Sequence, residues 1–339
     1  MTARTQRLLT RVGAAIALAF AAHLPLSHAH ADDTVFQNAF DQMLGTEVRT
    51  PRSYDNPFES QIASLAEASR GRIGVAAMDL ASGRTIEVLG NQRFPMASTS
   101  KIAIAATFLD GVDKGRWSLN SEFPLLLPVP SKPFSSSIAP VRKGAYLAAS
   151  DLIERMITRS DNTATDALLA VIGGPDAVNR WVRKAGIDDF RIDRDIATLV
   201  RDDGEFDPAS HIDQRDSASP RAMVKLLSGL YKGQWLSASS RQVLIGAMER
   251  CITGKRRIPA LLPSEVLVAH KTGSLNNTSS DIGIIRTPDG RAYAVAIYVT
   301  GQGTRLAREE RIAQIARSIY DGYTVIAAND NTNWVNARY

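Results

Sequence analysis

The run "DIGIIRTPDGRAYAVAIYV" places the strongest constraint on the fold. Two apolar stretches flank Pro288-Asp289-Gly290, a pattern that predicts a hairpin turning at those residues. "EVLVAHKTG", just before it, reads as another strand. Far upstream, "GRIGVAAMDLASGRTIEVLG" (71–90) reads as two strands joined at "ASGR". The order is strands, many helices, then strands and a helix. The simplest packing joins the outer strands into one antiparallel sheet. The expected class is α/β in the α+β sense: an antiparallel sheet flanked by helices, plus an all-helical subdomain. A cleft between those parts is a natural place for a site.

The intervening stretch is expected to be mostly helical. Residues 98–109 form an apolar helical pattern, and a Pro- and Ser-rich stretch at 124–139 reads as loop. Asp151 with Glu154 resembles a capping box ahead of the stripe Leu152, Ile153, Met156 and Ile157. "NTATDALLAVI" is a second helix, stopped by Gly173-Gly174-Pro175, and "DAVNRWVRKAG" a third. Ser219 as cap and Pro220 in the first turn start "SPRAMVKLLSGLY". "SRQVLIGAM" is helical, and an amphipathic helix closes the chain from about Leu306 to Tyr320.

The first 31 residues stand apart. Arg4, Arg7 and Arg11 precede an apolar run from Val12 to Leu26, and "AHA" at 29–31 gives a small-x-small cleavage pattern. This reads as a secretory signal peptide, because the run is shorter than the ~20 residues a membrane span needs. The expected location is secreted, periplasmic, with no stable membrane span. Its removal takes the formal charge from +5 to +2 and leaves no case for nucleic acid. Only His211 and His270 then remain, with Cys251 the sole cysteine. An intrachain disulfide is excluded and a zinc site would lack its usual ligands, so no metal or cofactor is expected. The mature chain, 32–339, reads as one domain. Its α/β part covers about 32–92 and 240–325, its helical part about 93–239, and 326–339 is a polar tail. A monomer acting on a small molecule is expected.

Three short motifs carry the chemistry. "STSK" puts Ser98 and Lys101 at i and i+3 on a helix start, where both side chains share a face. A serine hydroxyl needs a nearby base, and a lysine serves if burial and like charge lower its pKa. "SDN" at 160–162 sits in a tight link between two helices. Its hydroxyl suits a proton relay and its amide suits a substrate carbonyl or amide. "KTG" at 271–273 ends a strand, with a lysine and a hydroxyl to anchor a carboxylate and a glycine that lets substrate backbone approach. Each motif alone is weak. In this order, with Ser160 62 positions after Ser98 and Lys271 111 after Ser160, coincidence is improbable.

With that trio the chain resembles the class A β-lactamases, over nearly all of its mature length. "MITRSDNTATDALLAVIGG" and "SRQVLIGAMERCITGKRRI" are similar to family segments, and "RDSASPRAM" (215–223) to "RDTTTPxAM", which closes the omega loop. The resemblance implies roles. Ser98 is the acylated nucleophile and Lys101 takes its proton. Ser160 passes a proton to the leaving nitrogen, and Asn162 binds the substrate's side-chain amide. Lys271, Thr272 and Ser274 bind its carboxylate, with the N–H groups of Ser98 and Ser274 as oxyanion hole.

The omega loop departs from the family. Setting "TRLDRxEPELN" on "FRIDRDIATLV" (190–200) matches Arg191, Ile192, Asp193, Arg194 and Leu199. Arg194 and Asp216 then close the loop as an ion pair. The glutamate that activates the deacylating water falls on Ile196, and the asparagine that helps hold that water falls on Val200. Ser160 to Ile196 is 36 positions, the family's spacing. The arginine expected just after KTG is missing from "SLNNTSSD". Isoleucine neither accepts a proton nor holds water, so acylation is expected without ordinary deacylation. Other bases near the loop are Asp195, Asp202, Asp203, Glu205, Asp207, His211 and Asp213. Three functions stay open: a β-lactam-reactive hydrolase with slow or unusual turnover, a same-fold hydrolase of another amide or ester such as D-Ala peptides, and a single-turnover penicillin-binding sensor.

Overall fold

The computed structural model describes residues 57–68 and 70–336. The signal peptide expected at 1–31 and most of the segment 32–58 that follows it lie outside the described residues. A five-stranded antiparallel sheet, in the order β2-β1-β10-β9-β8, organises the rest. Its strands are β1 (Ile73–Asp79), β2 (Thr85–Val88), β8 (Leu267–Leu275), β9 (Thr278–Arg286) and β10 (Ala292–Thr300). The N-terminal hairpin thus joins the C-terminal one, with Ala76 opposite Ala296. The turn between β9 and β10 places Gly290 at φ +86°.

Alternation along the strands supplies two cores. Val75 and Ala77 of β1, and Tyr293, Val295 and Ile297 of β10, face helices α1 (Pro57–Leu65) and α9 (Arg305–Asn336). There they pack with Ile62, Ile312, Ile315 and Ile319. Ala76, Ala294, Ala296 and Tyr298 point the other way, into a larger cluster with Phe94 and Met96 of strand β3 (Phe94–Pro95) and its neighbour. That cluster takes in α2 (Lys101–Asp113), α3 (Ala149–Thr158), α4 (Asn162–Ile172), α5 (Pro175–Lys184), α7 (Pro220–Lys232) and α8 (Ala238–Glu249). Both faces of β10 are buried, which is why its sequence is apolar throughout. The closing helix runs to Asn336, well beyond Tyr320.

Caps explain several limits. Ser219 accepts a bond from Ala222 N at 3.2 Å ahead of Pro220, and Gly173 ends α4 at φ +97°. Two expectations are corrected. Asp151 is not a cap: α3 begins at Ala149 after Ala148, with no side-chain cap, and Glu154 pairs instead with Arg250 at 2.7 Å. Part of the expected loop at 124–139 is strand. β4 (Glu122–Pro128) and β5 (Val141–Ala148) form a two-stranded ribbon, with the loop confined to 129–140. Both strands of such a ribbon are edges, so proline's missing N–H is tolerated there.

Candidate active site

Ser98 lies at the second position of a 3₁₀ turn, Ala97–Ser100, that runs directly into α2. Ala97 is held at φ +48°, a conformation costly for a residue with a Cβ. The two hydroxyls after Ser98 are tied back into the turn: Thr99 Oγ1 to Met96 O and Ser100 Oγ to Ala97 O, both at 2.8 Å. Gly273 of β8 backs onto this turn. A Cβ there would stand 2.6 Å from Met96 O and 3.2 Å from Ala97 Cβ, so only glycine lets the strand end meet the turn that carries Ser98.

Lys101 is buried in the first turn of α2, and its Nζ donates to Ser160 O at 2.7 Å, Ser160 Oγ at 3.2 Å and Asn162 Oδ1 at 2.6 Å. Three donated bonds are the full capacity of an ammonium. Lys271 Nζ donates to the same Ser160 Oγ at 2.9 Å and to Thr272 O at 3.0 Å. Ser160 is left-handed, at φ +60°, where the chain turns from α3 into α4. Asp161 holds that turn by capping α4 through Thr163 N and Ala164 N and pairing with Arg155 at 2.7 Å. Burial, then the charge of Lys271, drives Lys101 well below the usual lysine range, while Asp166 and Asp161 oppose this. Burial also brings Lys271 down to about 8.

At the end of β8, Thr272 turns its hydroxyl to Thr253 Oγ1 at 2.7 Å, while Ser274 is exposed. A guanidinium does reach this strand end, although no arginine follows the motif. Arg257 donates to Gly273 O at 2.8 Å, Ser280 O at 2.7 Å and Ser274 Oγ at 2.7 Å, and pairs with Glu309 at 3.0 Å. It arrives from the turn before β8 and is 1% exposed.

Within the 190–216 loop, Arg194 Nε meets Asp216 Oδ2 at 2.6 Å. Asp216 Oδ1 also accepts from Asp193 N at 2.8 Å and Arg194 N at 3.1 Å. Ile196 opens a short helix, α6 (Ile196–Arg201), capped by Asp195 on Thr198 N at 2.7 Å. The Ile196 side chain is buried, whereas Val200 is 51% exposed. Beneath α6 lies a carboxylate that the motifs did not reveal. Asp166 of α4 accepts from Ile196 N at 2.7 Å and Ala197 N at 2.9 Å. Burial, foremost, raises it to about 7.

The β-lactamase enzyme family's model matches residues 57–323. An imipenem-hydrolysing β-lactamase of Enterobacter cloacae is 30% identical over 268 residues, covering 77% of this chain and 88% of its own. A β-lactamase of Proteus vulgaris is 31% identical over 249 residues, covering 73% and 89%. Among solved structures, an ancestral Gram-negative class A β-lactamase superposes with TM-score 0.68 at 34% identity, covering 78% of this chain and 99% of its own. The chain belongs to the class A β-lactamase family.

In this β-lactamase relative, the other carboxylates near the loop are engaged structurally. Asp202 pairs with Arg201 at 2.7 Å and accepts from Phe134 N at 2.9 Å. Asp203 accepts from Asn276 N at 2.8 Å, and Asp207 from Ala209 N at 3.0 Å and Asn277 Nδ2 at 2.8 Å. Glu205 and Asp213 hold Arg215 at 2.6 and 2.7 Å, and His211 stacks on Phe206. Among the described residues no cluster of His, Cys, Asp and Glu is suited to a metal ion, and no helix is long and apolar enough to cross a membrane. Asp166 and Arg257 were missed because neither belongs to a short motif. The spacing of Asp166, one turn after Asn162, was the only signal.

Proposed function

We propose that the protein is a serine hydrolase acylated by β-lactams at Ser98 and slow to release the product. The observation that carries this reading is the shared hydroxyl. Ser160 Oγ lies between Lys101 and Lys271, and Ser98 sits on the same helix start as Lys101. For Ser98 to attack, Lys101 must shed a proton and turn its lone pair to the serine. Burial and the neighbouring ammonium favour that neutral form. As the lactam C–N bond breaks, Ser160 passes a proton to the nitrogen, and Lys101 or Lys271 replaces it. Asn162 meets the side-chain amide. Lys271 and Ser274, the latter fixed by Arg257, meet the carboxylate, and Thr272 contributes once its hydroxyl leaves Thr253. The N–H groups of Ser98 and Ser274 take the developing oxyanion.

Deacylation is slow in this reading because the position of the water-activating glutamate is Ile196. Loss of a general base costs roughly 10²–10⁴ in rate. Asp166 does not replace it in this reading, since it is buried beneath α6 and holds the Ile196 and Ala197 N–H groups. The mature protein is proposed to be a secreted, periplasmic monomer of one domain, freed of residues 1–31. The test mixes mature protein, and a Ser98→Ala control, with a penicillin and a cephalosporin and follows intact mass. A persistent adduct on the wild type alone is expected. Fast substrate loss without a lasting adduct overturns slow deacylation, and neither adduct nor turnover overturns the whole reading.

A further inference from the structure

The ribbon of β4 and β5 ends in a tip, residues 129–140, that is held in place without being packed away. Val129 N donates to Pro140 O at 2.8 Å where the strands run into it. The tip then folds onto α6. Phe134 N donates to Asp202 at 2.9 Å, Ala139 N to Thr198 Oγ1 at 2.8 Å, and Arg201 to Ser136 O at 2.6 Å. Pro130, Pro133 and Pro140 remove further freedom from its backbone. Its large apolar side chains nevertheless stay outside. Phe134 is 56% exposed and Ile138 66%, and Val129 and Val141 are exposed at the two ends of the tip. Phe134 is also held at φ +58°, a conformation costly for an aromatic residue. A fixed loop that keeps its apolar side chains in water is the mark of an interaction surface. Charge narrows the partner. From Phe123 to Leu147 the ribbon carries Lys132, Arg142 and Lys143 and no acidic residue. All three are exposed, and none has an acidic partner among the described residues. Arg142 and Lys143 stand opposite Leu127 and Leu126 of β4, so one cation points to each face of the ribbon just behind the tip. The carboxylate that holds the tip, Asp202, is buried and committed to Arg201.

We propose that the 129–140 tip, with Lys132, Arg142 and Lys143, docks end-on into the headgroup layer of an anionic phospholipid bilayer. Phe134 and Ile138 enter the boundary between headgroups and acyl chains, and the three cations meet lipid phosphates around them. An apolar point collared by a single sign of charge suits a fluid anionic surface, which needs no matching shape. Because the tip is already fixed on α6, little freedom is left to lose on docking. The association is peripheral, since no helix among the described residues is long and apolar enough to cross a membrane. α6 carries Ile196 and is bonded to the tip, so docking holds the omega loop close to the lipid surface.

The test needs no β-lactam and is independent of the reading of Ser98. Mature protein is mixed with sedimenting vesicles of phosphatidylcholine, with or without about 30% phosphatidylglycerol, and the bound fraction gives an affinity for lipid. The wild type is expected to prefer the anionic vesicles by roughly tenfold or more in about 0.1 M salt, and to lose that preference in about 0.5 M salt. Each cation near such a surface is worth about fivefold in affinity, so Lys132→Gln with Arg142→Gln and Lys143→Gln should weaken binding by about a hundredfold. Phe134→Ser with Ile138→Ser should weaken it by roughly tenfold or more at unchanged charge. A control on α5, Arg180→Gln with Arg183→Gln and Lys184→Gln, changes the net charge equally and should bind within about twofold of wild type. The substituted side chains are exposed, and circular dichroism melts confirm that each variant folds. Absence of binding to the anionic vesicles, binding that neither ribbon variant weakens, or an equal loss in the α5 variant overturns the proposal. So does a dimer in sedimentation velocity that Phe134→Ser with Ile138→Ser abolishes while vesicles go unbound, since the tip then belongs to a second copy of the chain.

Discussion

Lys101 and Lys271 reach the same oxygen, Ser160 Oγ, at 3.2 and 2.9 Å. Burial disfavours the charge on both, and for Lys101 the charge of Lys271 adds to it. Lys101, as the proposed base, should set the acid limb of the acylation profile. Lys271 lowers the Lys101 pKa, so Lys271→Ala should raise it and move the acid limb to higher pH. Weaker binding of carboxylate-bearing substrates should accompany the shift. Quenched-flow mass spectrometry across pH 5–9 measures both. An acid limb that stays in place rules out Lys101 as the titrating group.

The omega-loop substitution gives a second test. Ile196→Glu with Val200→Asn should shorten the lifetime of the acyl adduct by about 10² or more. The new carboxylate would start from a backbone held by Asp166 at 2.7 Å, which invites like-charge repulsion. Adding Asp166→Asn should therefore enhance the rescue. If pulse-chase mass spectra give the same lifetime for the pair and the wild type, the loop alignment is wrong.

Arg257 is buried with four acceptors, among them Glu309 and Gly273 O. Arg257→Ala leaves Glu309 with Arg305 alone and strands the strand-end carbonyls, and should cost about 3 kcal/mol in urea unfolding. It should also slow acylation by releasing Ser274. Arg257→Lys should recover only part of each, because an ammonium cannot span the same fork. A stability equal to wild type for the alanine variant would contradict the buried pairing.

His270, buried on β8 with Nδ1 2.9 Å from Asp281 of β9, gives a pH dependence of known sign. Its folded pKa, about 10, lies above the ordinary 6.5, so the His270–Asp281 pair stabilises fully below pH 6.5. That contribution is lost as pH rises through 10. Asp166 acts in the same direction at lower pH, its stability falling between about 4 and 7. Lys271 and Lys101, with lowered values, act in the opposite sense over this window, so the expected readout in urea unfolding is the difference between wild type and His270→Gln, which should shrink between pH 6.5 and 10 on the order of a few kcal/mol. An unchanged difference would show that another group titrates.

Local pattern decided a good deal. The apolar run in "RAYAVAIYV" and the turn at Asp289-Gly290 define the hairpin, because apolar run length and turn geometry are short-range properties. Ser219-Pro220 and Gly173 mark helix ends for the same reason. The ordered trio around Ser98, Ser160 and Lys271 was legible because family spacing is conserved in the linear chain. Tertiary structure alone decided what meets across distance. Asp166 reaches the Ile196 backbone 30 positions away, Arg257 reaches Ser274, and Thr253 joins Cys251 to Thr272. Apart from the place of Asp166 one turn after Asn162, these contacts leave no local signature, because packing of separate elements creates them. The proline-bearing ribbon at 122–148 shows the converse: composition argued for a loop, and pairing with a partner strand overruled it.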